Sequence, residues 1–125
     1  MKHVLILAPT GLLMGFLTSW FGLPVQVEMA AWVGLYLLWV VYGVRSEIPM
    51  PVRRMAFSGT LAGLLTGSTQ VILMEKYKTN NPWYSDIFET SSAQDLSTNL
   101  LGEGIATGLV FGVTTGLLVR WRLSR

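Results

Sequence analysis

Residues Thr10 to Ser19 read TGLLMGFLTS, and the chain writes the phrase twice more: SGTLAGLLTG from Ser58 to Gly67 and TGLVFGVTTG from Thr107 to Gly116. Each copy opens on a hydroxyl residue and a glycine, leaves three residues, returns to glycine and closes near a threonine. Each lies in an apolar stretch. Glycine costs a helix in water about 1 kcal/mol relative to alanine, so its recurrence at one spacing calls for a packing reason. Lipid tails are as apolar as leucine, so helices in a bilayer associate through close packing and hydrogen bonds, and small residues four apart let two backbones approach. Gly11 and Gly15 form one such pair, and Gly59, Gly63 and Gly67 form two in tandem. Gly104, Gly108, Gly112 and Gly116 form three, a glycine zipper along most of the last apolar stretch. The phrase marks helix contact surfaces. Its abundance in the last stretch points to more small surface than one bundle uses, and so to a homo-oligomer or a membrane-protein partner.

Composition agrees with a bilayer setting. Of 125 residues 51% are hydrophobic and 13% charged, and the mean hydropathy is +0.49, outside the range of ordinary soluble domains. The charges cluster and leave four windows, 4–23, 28–44, 55–75 and 98–120, near the roughly 20 residues that cross a hydrocarbon core. The apolar N-terminus shows no small-x-small cleavage site and counts as the first span. Lys2, Arg45, Arg53, Arg54, Arg120, Arg122 and Arg125 fall on one side of the resulting topology, and Lys76 and Lys78 on the other. By the positive-inside rule both termini are cytoplasmic, which fits a bacterial inner membrane. The basic balance is thus a topological signal and not a nucleic-acid patch. The fold expected is an all-α, single-domain, four-span antiparallel bundle, joined by short loops except for an outer loop at 76–97.

In that loop Asn81-Pro82 reads as an N-cap followed by proline at the first helical position. NPWYSDIFE is then a short amphipathic helix, with Trp83, Tyr84 and Phe88 at the membrane interface or folded over the bundle as a lid. The second span carries Trp32, Tyr36, Trp39 and Tyr42 as one aromatic stripe, read as a packing surface ahead of a cofactor groove.

Polar residues inside spans are where function is sought. At 100° per residue Thr66 and Gln70 share a face with Gly59, Gly63 and Gly67, Glu103 and Thr107 form a polar edge beside the glycines of the last span, and Thr18 follows Gly11 and Gly15 with Ser19 next to it. Gln70, Glu103 and Thr18 each lie roughly 6 to 8 Å inside the outer boundary at about 1.5 Å per residue. The candidate site is Glu103 with Gln70, Thr66, Thr18, Ser19 and Thr107. Against a functional role, STNLLGE resembles a helix start, which places Glu103 in opening turns where the helix dipole favours an anion. Glu28 and Glu75 read as solvated span ends.

The chain has no cysteine and one histidine, no nucleophile with a plausible base, and no metal-ligand or phosphate-cradling spacing. No enzyme activity, cofactor or metal is expected. The leading expectation is a non-catalytic accessory subunit that packs through its glycine faces. The alternative is a small proton- or cation-linked transporter or channel that uses Glu103.

Overall fold

A computed structural model of the chain, residues 1–125, is built of helices with no strand. Helix α1 (Lys2–Leu7) and α2 (Thr10–Trp20) form a first broken rod, α3 (Val25–Arg45) returns, and α4 (Pro51–Ile72) runs back to a short α5 (Met74–Asn80). A 3-10 turn (Pro82–Tyr84) and α6 (Ser85–Thr90) lead into the long α7 (Ala93–Leu123). Three segments are long and apolar enough to cross a membrane: Lys2–Trp20, Val25–Arg45 and Ala93–Leu123. Their outward faces carry large apolar side chains such as Leu13, Leu37, Leu38, Val110 and Leu117, all exposed. An exposed apolar surface of this extent is that of an integral membrane protein.

The expected third span differs. Helix α4 reaches the apolarity of a span only together with α5, and the two are bent by 87°. The reason lies in where α4 sits. Ser58, Gly59, Ala62, Gly63, Thr66, Gly67 and Gln70 are all buried, because α4 runs between α1–α2 on one side and α7 on the other. Helix faces packed against protein need small and hydrogen-bonding side chains, not lipid-facing leucines, and only the remaining face of α4 shows large apolar groups, Phe57, Leu64 and Ile72. The boundaries of the other spans shift too. The first is interrupted at Pro9, which lacks an N–H and cannot continue the ladder of α1, and the Thr10 hydroxyl donates to the Leu7 carbonyl at 2.6 Å across the break. The last helix begins at Ala93, where the Ser92 side chain accepts from the Asp95 N–H, so its first turns lie within what reads as loop.

The glycine rows face one another within the chain. A Cβ added at Gly63 would fall on the Gly104 carbonyl, one at Gly59 on the Gly108 carbonyl, and one at Gly67 on the Leu100 carbonyl. Gly112 meets Met55 and Ala56, and Gly116 meets Pro51 and Val52. All four glycines of the α7 row are therefore in contact with α4. Gly11 and Gly15 meet Ala62 and Thr66–Thr69 on the opposite side of α4.

Helix α3 is held differently. Tyr36 stacks on Phe111 of α7 with ring centroids 4.0 Å apart, Trp39 lies edge-on to Tyr36, and Tyr42 shares a 3.1 Å hydrogen bond with His3 of α1. With Ile48, Met55 and Val119 these rings form the main apolar core, at the end of the bundle that carries both termini. The aromatic stripe is packed against protein along this half.

Candidate functional site

At the other end of the bundle α3, α4 and α7 leave a cavity of about 290 Å³, roofed by α5, the 3-10 turn and α6. Its walls follow from the packing. Glycines bring α4 against α7, whereas the bulky rings of α3 hold that helix away, and Trp32 passes from the edge of the terminus-end core to the cavity wall.

Helix α3 contributes Glu28 and Trp32, which stand one turn apart, and α7 contributes Asn99, Glu103 and Thr107. From α4 come Thr66 and Gln70, both buried. The roof supplies Tyr77 from α5, Tyr84 from the 3-10 turn, and Ile87 and Phe88 from α6. Phe88 lies edge-on to both Tyr77 and Tyr84, at 5.7 and 6.2 Å between centroids. These contacts make the segment after α5 a cover over the bundle, with Trp83 pointing outward and exposed.

The roof is fastened by two asparagines. The last carbonyls of a helix have no partner within it, and those of α2 are met from α5. Asn80 Nδ2 donates to the carbonyls of Ser19 and Trp20, at 3.0 and 2.8 Å. Asn81 Nδ2 donates to those of Thr18 and Tyr77, at 2.9 and 2.7 Å. The side chain of Asn81 therefore does not cap the segment that follows it, contrary to the reading of Asn81-Pro82 as a capped helix start. Pro82 to Tyr84 is a 3-10 turn and α6 starts only at Ser85. Gly22, at φ +64°, allows the neighbouring turn to approach the Asn80 carbonyl, where a Cβ would collide.

Of the residues singled out in the sequence, Glu103, Gln70, Thr66 and Thr107 share the cavity wall. Thr18 stands behind them: Gln70 Nε2 donates to its hydroxyl at 3.0 Å. Ser19 is fully buried, lies away from the cavity, and its hydroxyl has no partner. Thr66 donates to the carbonyls of Gly11 and Ala62, which joins α2 to α4. Thr66 and Gln70 thus look toward α2 and the cavity, while Gly59, Gly63 and Gly67 look toward α7. Glu103 stands ten residues into α7, well past the first turn in which a helix dipole favours an anion. The dipole does not account for it.

Glu28, expected as a solvated span end, belongs to this site. It is half-buried and lines the same cavity as Glu103. Neither carboxylate has an ion-pair partner, and no lysine, arginine or histidine lines the cavity. Their joint field is felt at Tyr84, whose phenol is pushed above its ordinary value by burial first and then by the two carboxylates. At neutral pH that phenol is therefore an un-ionised hydroxyl. No three metal-binding side chains gather anywhere in the molecule. Compared with known proteins, the chain matches no protein-family model, no curated protein and no solved structure.

Proposed function

We propose that this is a small membrane protein that binds a cation in the cavity at its loop end and carries it across, as a transporter or channel. One observation carries the reading: two carboxylates from separate helices, Glu28 and Glu103, face one cavity with no basic side chain to neutralise them. Glu28 is half-buried and Glu103 exposed, so both anions are open to an incoming cation, and ionisable side chains within membrane segments mark ion and substrate pathways. A cation from outside supplies the missing charge.

The wider arrangement is consistent with this. If α4 crosses as a third span, the chain passes four times, and the basic residues gather at the end that carries both termini, which supports N-in and C-in orientation in a bacterial inner membrane. The cavity then lies toward the outer surface, covered by α5 and α6. Toward the inner surface the ring stack of Tyr36, Trp39 and Phe111 blocks the way, so passage requires α3 to move relative to α7. The test is uptake of sodium, potassium or methylammonium into liposomes that hold the full chain alone. Uptake of at least one that is lost in Glu103→Gln supports the reading. Uptake that persists with both Glu28→Gln and Glu103→Gln, or no uptake of any of the three, contradicts it.

A second reading, an accessory subunit of a larger membrane complex, draws on α3. Only 17% of its apolar window is buried, against 44% of the first span, which leaves Val33, Leu37, Leu38 and Val41 free to meet another membrane protein. A pull-down from native membranes that recovers a stable partner, released by bulky-to-small changes on this face, would favour it. The glycine rows give this reading no further support, since α7 presents them to α4 of the same chain.

A further inference from the structure

Resting on the cation-binding reading, we infer that the ligand is a small organic cation with N–H donors, an alkylammonium or guanidinium, and neither a metal ion nor a quaternary ammonium.

The hydrogen bonds around Gln70 set the polarity of the wall. The Thr18 hydroxyl donates its only proton to the Met14 carbonyl, at 2.9 Å, with the Gly15 carbonyl 3.2 Å away. Toward Gln70 it can only accept, which fixes the amide with Nε2 on Thr18 and Oε1 free. Gln70 is 7% exposed and lines the cavity, and Oε1 accepts from no group of the protein. Thr66 likewise has its proton committed, to Gly11 and Ala62, and has none to donate to an occupant. Tyr77, also 7% exposed, has a hydroxyl without a protein partner that is not sealed from the cavity. With Glu28 and Glu103 the wall is thus rich in acceptors, and an occupant that donates several hydrogen bonds and carries positive charge satisfies it.

Size and lining decide between cations. About 290 Å³ is room for several waters, far more than a bare ion fills. With two carboxylates and no cluster of three His, Cys, Asp or Glu side chains, the wall is poor in the charged ligands that calcium sites gather. Four rings, Trp32, Tyr77, Tyr84 and Phe88, border the same space, and aromatic faces attract organic cations. A quaternary ammonium would use the rings but leave Gln70 Oε1 and the carboxylates without donors.

The experiment is calorimetric titration of the purified full chain in nanodiscs with n-propylammonium, guanidinium, tetramethylammonium, sodium and n-propanol. Propylammonium and guanidinium are expected to bind at least tenfold more tightly than tetramethylammonium or sodium, a factor equal to about 1.4 kcal/mol, with no binding of propanol. Gln70→Leu is expected to weaken propylammonium about tenfold and leave tetramethylammonium unchanged. Should that variant fail to fold, Tyr77→Phe removes one unpartnered hydroxyl and is expected to weaken propylammonium several-fold. Tetramethylammonium or sodium binding as tightly as propylammonium, with both dependent on Glu28 and Glu103, overturns the donor-bearing ligand and leaves the cation reading standing. Absence of binding by every cation overturns both.

Discussion

The two ends of this bundle are made from the same helices and opposite materials. At the terminus end Tyr36, Trp39, Met55, Val119 and Ile48 pack together as an apolar core between α3, α4 and α7. At the loop end the same three helices surround a cavity walled by carboxylates, an amide and hydroxyls. Along α4 and α7 the glycine contacts run through both ends, so the difference arises from α3. Its stripe places Trp39 and Tyr36 in the core and, one and two turns further on, Trp32 and Glu28 at the cavity. A single helical face changes from packing to solvation chemistry as it passes from one end to the other.

The largest expected effect breaks what the ends have in common. Gly63→Leu or Gly108→Leu drives a side chain into the backbone of the facing helix and is expected to abolish recovery of monodisperse protein, because neither backbone can yield. Gly34→Leu and Gly102→Leu, at glycines with open space around the Cβ position, are expected to leave recovery unchanged. Equal losses at all four positions on size-exclusion chromatography would show that glycine acts through flexibility and not through contact. Next, Trp39→Ala empties the terminus-end core and is expected to cost about 3 to 5 kcal/mol in reversible unfolding. Glu28→Gln and Glu103→Gln at the cavity are expected to cost less than about 1 kcal/mol, because Glu28 is only half-buried and Glu103 is exposed. A reversal of that order would contradict the division of the bundle into a structural and a binding end.

Smaller effects sharpen the account of the roof. Asn81→Ala leaves carbonyls of Thr18 and Tyr77 without their donor and is expected to cost about 1 to 3 kcal/mol, with faster hydrogen exchange in α5 and α6 than in α7. Tyr84 makes the finest prediction. Burial, and after it the carboxylates of Glu28 and Glu103, push its phenol above the ordinary tyrosine range, so un-ionised Tyr84 contributes stability below about pH 10, which is lost as pH rises through the raised value. In ultraviolet titration Glu28→Gln or Glu103→Gln is expected to move the Tyr84 midpoint back toward 10. An unmoved midpoint would place the carboxylates too far from the roof to act on one ligand with it.

The helical character and the spans of the first, second and last segments were legible because apolar length is a local property. The bend after Leu73 was not, since neither proline nor glycine marks it. It is made by Asn80 and Asn81 reaching carbonyls about 60 residues earlier in the chain, a tertiary contact that no local pattern encodes. Pro9 did carry its break in the sequence, within a stretch uniformly apolar enough to pass for one helix. In the candidate site, counting depth along each span brought Gln70, Glu103 and Thr18 to one level. Glu28 escaped because a charge at a span end reads as solvated. Its spacing held the signal: Glu28 precedes Trp32 and Tyr36 by one and two turns and so extends the aromatic stripe toward the cavity. The destination of the glycines depended on pairing, and a sequence records which residues are small but not which helix meets them.

The central claim, that Glu28 and Glu103 together hold a cation, is tested most directly by equilibrium binding of propylammonium to the full chain and to a variant with both Glu28→Gln and Glu103→Gln. Saturable one-to-one binding is expected, falling at least a hundredfold in the double variant while its melting temperature holds or rises. Undiminished binding in a folded double variant would contradict it.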